Sequence, residues 1–279
     1  MALSIFTNAS SMASTNALNK SNSMLSTAME RLGTGKRINS AADDAAGLQI
    51  ATRLQGQSNG MAVAQRNISD ATALLQTAEG AFDEVSNIMY RMKDLATQAA
   101  NDTNGTEDRA ALQAEMTELN DELSNIMGNT KYAGENLFGA SGKFANAMNF
   151  QIGASKEESL SVDLSGELTT VTTGMDNLSG ATLTTVSGAQ DAMDKIEQAV
   201  ADVGTLRSKL GANINRLGHT AANLANMKDN TDLALGNIRD ADFATEASSM
   251  TRNQMLAQTS MSMLKQSNSM SSMVMSLLG

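Results

Sequence analysis

Apolar residues recur three or four positions apart through Ile68, Ala71, Leu75, Ala78, Phe82, Val85, Met89, Met92, Ala96 and Ala99. The pattern repeats through Leu112, Met116, Leu119, Leu123 and Ile126, and again through Val203, Leu206, Leu210, Ile214, Leu217, Ala221 and Leu224. Seams of this length are those of packed, near-parallel helices. They fade between about residues 135 and 186, where Gly, Thr, Ser and Val take over. The pattern therefore predicts a mainly α, elongated antiparallel helical bundle with a small β-hairpin region in mid-chain. The chain turns back there, pairing its N-terminal half with its C-terminal half.

Local signals set the expected boundaries. A thin row at Leu18, Leu25 and Leu32 gives one apolar residue per heptad, too few to hold a helix without partners. Gly33 and Gly35 then stop that helix, Gly33 standing where a terminating glycine belongs. Ser40 followed by Asp43 reads as an N-cap with an acidic third residue, opening a helix over about 41–100. Asn101–Gly105 is a turn cluster, Thr106 caps the next helix, and Gly128 ends it. Alternation at Asn149–Ile152 and Leu160–Leu164 predicts short strands. Ser187 with Gln190 opens a helix to about 235, in which Gly204, Gly211 and Gly218 suit close helix approach. Asp240 and Asp242 mark a break, and the tail carries a weak seam at Ala247, Met250, Ala257, Met261 and Leu264. Four segments result: 1–42, an N-terminal arm; 43–186, strong helices plus the central region; 187–240, a strong helix; and 241–279, a C-terminal arm.

Composition sharpens this picture. Only 3% of the 279 residues are aromatic, and seam positions are often Ala or Met, which bury little area or pack loosely. The arms, 1 to about 40 and about 243–279, are expected to be disordered in a monomer, because their seams do not outweigh roughly 1–2 kcal/mol of ordering cost per residue. The segment 165–185, with few large apolar groups, is expected to lie exposed. Zero Cys excludes disulfides and thiolate metal sites, and zero Pro removes slow isomerisation from folding. A net charge of −10 argues against nucleic acid. The start of the chain lacks a basic region followed by an apolar one, so a cleaved signal peptide is not expected, nor is membrane insertion.

Catalytic chemistry finds no footing. His219 is the one histidine, beside a helical seam, and reads as a surface residue. Asp43 and Asp44 are adjacent and on a helix point apart, so they read as helix-start charges. No cofactor, metal site or enzyme activity is expected. The twenty Met residues fall at helical spacing and read as soft core or interface filling.

The segment Glu30–Ala51, ERLGTGKRINSAADDAAGLQIA, closely resembles the N-terminal signature of bacterial flagellins. Leu18–Lys20, Gln76–Gly80, Tyr90–Ala99, Leu206–Leu217, Ile238–Glu246 and Ser276–Leu278 continue the family pattern in order. The resemblance covers roughly 1–138 and 187–279, leaving a centre of about 50 residues, short for the family. It implies a structural subunit of the flagellar filament, a helical homopolymer used in swimming. Family members leave the cell unfolded through the flagellar export channel and assemble at the distal tip, so export chaperone, cap and junction proteins are implied partners, and the flagellum outside the cell the implied location. The terminal rows Leu18, Leu25, Leu32, Met250, Ala257, Met261 and Leu264 become the implied assembly seam. By local alignment, the contacts of the animal receptor that senses flagellin fall on Arg91, Leu95 and Glu115; Leu95, beside the core stripe, is also a candidate subunit contact. Residues 30–51 resemble the epitope sensed by plants. A hook–filament junction protein shares the terminal pattern, and a chemoreceptor-like signalling bundle shares the Ala-, Gln- and Ser-rich heptads. The centre has no histidine, which excludes the zinc protease that a few flagellins carry there.

Overall fold

A computed structural model describes residues 8–139 and 141–278, with backbone alone at 271, 272 and 274–278. Residues 1–7 of the N-terminal arm and Gly279 lie outside the described residues. The described elements are α1 (Ala9–Thr34), α2 (Ala45–Ala99), α3 (Thr106–Asn129), the hairpin β1 (Lys131–Tyr132) and β2 (Glu135–Asn136), a 3-10 turn at Lys143–Ala145, the hairpin β3 (Met148–Gln151) and β4 (Ser159–Val162), α4 (Ser165–Ser179), α5 (Val186–Arg239) and α6 (Phe243–Leu278). The chain divides into two compact units, Gln57–Asp229 and Met1–Gly56 with Asn230–Gly279.

The core of unit 57–229 is the predicted seam. Every α2 position from Ile68 to Ala99 in that row is buried, and Met61 and Ala64 extend it by a further heptad. The α2 stripe is wider than a two-helix seam, because α2 has partners on two sides. Its antiparallel partner α5 is fixed by Lys93–Glu197 at 3.1 Å and by Arg207, which lies 2.8 Å from both Glu79 and Asp83. Hydrogen bonding to Glu79, with the Asp83 charge beside it, holds the Arg207 pKa above its ordinary value. Helix α3 folds back along α2 through Arg109, whose guanidinium donates to the Ala99 and Asn101 carbonyls. In α3, Met116, Leu123 and Met127 are buried, while Leu112, Leu119 and Ile126 are half-buried against the core.

Two central strand pairs are present, an unpredicted one at 131–136 and the predicted one at 148–162. The first turns at Ala133 and Gly134, both with positive φ, as a two-residue hairpin of type I′ requires. The second pairs Met148 with Val162 through to Gln151 with Ser159. Phe138, in the loop between the hairpins, packs at a tilt of 54° against Phe82 of α2 with ring centroids 4.7 Å apart, and stacks on Phe144 of the 3-10 turn at 6.1 Å.

The segment 165–185 differs from expectation. It opens with helix α4, which buries Leu168, Val171, Met175 and Leu178. These four apolar residues share one face at 3–4 spacing, enough to hold a short helix on a larger body; the Thr residues occupy the other face. Lys209 of α5 donates to Glu167 at 2.6 Å, and this bond lowers the Glu167 pKa. Past α4, the side chain of Gln113 accepts from Leu183 N–H at 2.5 Å and donates to the Ala181 carbonyl.

The cap positions also shift. Of the two glycines expected to stop α1, Gly35, with φ of 72°, takes the capping position and Gly33 lies within the helix. Asp44, not Ser40, caps α2 by accepting from Gly47 N–H at 2.8 Å. Asp43 instead accepts from the N–H groups of Ser40 and Asn39, which lowers its pKa and closes the turn before the helix. Thr106 is the first residue of α3, and Asp108 reaches back to Gly105 N–H. Helix α5 begins after Thr185, whose hydroxyl accepts from Gly188 N–H. A Cβ built at Gly204, Gly211 or Gly218 meets nothing within 4 Å, so these glycines face open space rather than a neighbouring helix.

Candidate assembly and recognition surfaces

In the unit formed by the chain ends, α1 and α6 run antiparallel. Their register is set by Asn8 donating to Ser267 at 3.0 Å, Ser11 donating to Asn268 at 3.1 Å, and Arg31 donating to Glu246 at 3.0 Å. Asn8 also caps α1, its side-chain oxygen accepting from Ser10 and Ser11 N–H. At the far end the chain breaks zip together. Lys36 and Asp240 face each other in a one-residue antiparallel backbone pairing, Arg37 N–H donates to the Arg239 carbonyl at 2.7 Å, and Ala241 N–H donates to that of Gly35. Asp242 caps α6: the Thr245 hydroxyl, then the N–H groups of Thr245 and Ala244, bond its carboxylate and lower its pKa.

The inside of this pair is small and polar. Its buried positions are Ser21, Ala28, Asn253, Ala257 and Ser267. With half-buried Leu18, Leu25 and Leu32 they complete an unbroken heptad on α1, and with half-buried Met250, Ser260 and Leu264 they do the same on α6. Of the sequence-expected row, Ala257 is buried and Met250 and Leu264 are half-buried, but Ala247 and Met261 point outward. The Ser and Asn members were invisible to an apolar-spacing search; only the strict 3–4 spacing that they continue would have exposed them. Both arms are helical in the single chain over 9–34 and 243–278, where disorder was expected from the thin apolar row.

The outside of the pair carries large apolar side chains among its polar ones. Met12, Met24 and Met29 on α1, and Met255, Leu256, Met261, Met263, Met270 and Met273 on α6, are all exposed. Phe243 and Leu233 are more than half exposed as well. Large side chains outside and small ones inside invert the usual distribution. So many exposed large apolar side chains on one helix pair point to an interaction surface.

The second candidate surface lies in unit 57–229. The structure brings Arg91 and Glu115 together: the guanidinium donates twice to one carboxylate oxygen, from Nε at 2.9 Å and Nη2 at 2.6 Å. Their side chains are 54% and 43% exposed. Leu95, one turn along α2, is only 1% exposed and belongs to the core, so it offers no surface for contact. The sequence places it one residue off the seam, and the widened α2 stripe covers that position too.

His219 is exposed. Among the described residues, no group of three or more His, Cys, Asp or Glu is arranged to hold a metal ion. Among them, too, no helix is long and apolar enough to cross a membrane.

Comparison with known proteins agrees with this architecture. Residues 5–143 match the bacterial flagellin N-terminal helical region, and residues 193–278 match the bacterial flagellin C-terminal helical region. A flagellin of Halalkalibacterium halodurans is 40% identical over 90% of each chain. Polar flagellin F of Vibrio parahaemolyticus is 32% identical over the whole of both. The crystal structure of Bacillus cereus flagellin, 29% identical, aligns with a TM-score of 0.50 over 57% of this chain and 88% of that one. Bacillus cereus FlgL shares the fold at a TM-score of 0.52 over 66% of this chain and 97% of that one, with 17% identity. With helical regions matched at both ends and full-length relatives above thirty per cent identity, the chain belongs to the bacterial flagellin family, the structural subunits of the flagellar filament.

Proposed function

We propose that this flagellin polymerises through the outward faces of α1 and α6. The observation that carries the reading is the inversion of the arm pair: Ser21, Ala28, Asn253 and Ser267 inside, methionines outside. A pair of long helices joined by such a seam gains little from its own interior. Copies of the same pair, set side by side, bury each other's Met faces. In this reading the half-buried Leu18, Leu25, Leu32, Met250 and Leu264, with Ala257, hold α1 and α6 to each other, and the outward Met261 belongs to the face that meets a neighbouring subunit.

Export in an unfolded state fits the absence of Cys and Pro, since neither disulfide exchange nor proline isomerisation then delays refolding outside the cell. A chaperone that covers the apolar arms before export, a cap at the growing tip and junction proteins at the filament base complete the set of proposed partners. The Arg91–Glu115 pair is the proposed contact for a host flagellin-sensing receptor. Leu95 contributes to that surface only by holding α2 in place.

Removing residues 1–34 or 243–279 tests the assembly reading. Each truncated protein should keep the helical signal of 57–229 and fail to elongate filament seeds. Elongation at the full-length rate by either one would refute it.

A further inference from the structure

The methionines of this chain divide by location. On α1 and α6, eight of them are between 47% and 63% exposed. In unit 57–229, Met61, Met89, Met92, Met116, Met127 and Met175 are all buried. The chain has no cysteine, so thioether sulfur is its softest group toward an oxygen donor. The most exposed thioethers are thus concentrated on the two arm helices; among the described methionines of the other unit Met227 alone is exposed, at 39%.

We infer that the outward methionines of α1 and α6 are an oxidative modification site, and that their sulfoxide form blocks addition of the subunit to a filament. The reacting partner is a two-electron oxygen donor such as hydrogen peroxide. A sulfur lone pair attacks one peroxide oxygen, the O–O bond breaks and an S–O bond forms. Sulfur is oxidised by two electrons, and the peroxide is reduced to water once the proton has moved to the departing oxygen. The product is polar and chiral where the thioether was apolar and pliant. Docking it against a neighbour's apolar face buries a sulfoxide oxygen without a donor, which opposes association. The vulnerable species is the free subunit, because a docked arm shields its sulfur atoms. Reduction by a methionine sulfoxide reductase, which consumes thiol reductant, restores the thioether.

The inference rests on polymerisation through the arms, and the test separates the two. Full-length monomer is treated with limiting hydrogen peroxide, mapped by peptide mass spectrometry, checked by circular dichroism and added to filament seeds. Arm peptides should gain one oxygen per methionine while peptides holding Met61, Met89 and Met92 stay unmodified. Helical content should persist and elongation should slow about tenfold or more. Reductase treatment should restore the rate. A variant with Met→Leu at the eight exposed positions should resist peroxide, elongating at one and the same rate before and after treatment. Elongation at the untreated rate by protein carrying arm sulfoxides would overturn the inference, as would equal peroxide inhibition of the Leu variant. Where that variant does not elongate, reversal by the reductase on the wild-type chain decides: a block that it does not relieve, with the arm sulfoxides removed, overturns the inference. Untreated subunits that fail to add to seeds overturn the polymerisation reading itself, and this inference with it.

Discussion

Arg91 and Leu95 sit one turn apart on α2, one exposed and one sealed in the core, and their substitutions separate accordingly. Leu95→Ala should cost about 2–5 kcal/mol by leaving a cavity, read as a lowered denaturation midpoint. Arg91→Ala removes a largely exposed ion pair and should cost about 1 kcal/mol or less. If the receptor contact is the Arg91–Glu115 pair, Arg91→Ala should weaken receptor activation at near-native stability. Equal destabilisation by the two changes would contradict this assignment. Gly47 is a second position where one atom matters. A Cβ there stands 2.7 Å from Cδ1 of Ile38, which is buried, and collides with the Asp44 carboxylate that caps α2. Gly47→Ala should therefore loosen the cap and cost about 1–3 kcal/mol, measured by denaturant unfolding.

Helix α4 shows how an element is held by few groups: four apolar residues and the bond from Lys209 to Glu167. Because that bond depresses the Glu167 pKa below its unfolded value of 4.5, its stabilisation is fully present above the unfolded pKa. It fades as pH falls through the depressed folded value. The difference in denaturation midpoint between wild type and Glu167→Gln should therefore be largest near neutrality and shrink below about pH 4. A difference that grows on acidification would reverse the assigned sign. Legibility in the sequence followed the chemistry of each seam. The α2 row was readable because nearly every heptad position carries Ala, Leu, Met, Phe or Val, and the strands of the second hairpin were readable from alternation; the two-residue strands of the first were too short to show any. The α1–α6 seam was not, because Ser21, Asn253 and Ser267 carry no hydrophobic signal. In α4, the Thr-rich run masked an apolar stripe whose spacing was present at Leu168, Val171, Met175 and Leu178. Cap positions moved because several Ser, Thr and Asp residues compete near each helix start, and sequence alone does not choose between Ser40 and Asp44, or between Thr185 and Ser187. Of the candidate contact residues, Arg91 and Glu115 lie on the surface while Leu95 lies in the core, because local alignment does not distinguish a seam flank from a core position.

At the scale of the whole molecule, the two units carry their apolar residues in opposite ways. Unit 57–229 hides them, while the arm pair shows them to solvent. Local unfolding free energy should follow that contrast. Limited proteolysis of dilute monomer should trim 9–34 and 243–278 first and leave a fragment near 57–229, and the same cuts should be suppressed in filaments. Equal resistance of arms and centre in dilute monomer would argue against a marginal arm pair. The central claim is that the outward faces of α1 and α6 become buried between subunits while the Thr face of α4 stays in solvent. Thiol labelling tests it against a silent background, since the native chain has no Cys. Met24→Cys and Thr173→Cys, both at exposed positions in the single chain, should each react with a bulky maleimide as monomers. In intact filaments the Thr173→Cys protein should still react and the Met24→Cys protein should be protected. Reaction at position 24 with protection at position 173 would contradict the account.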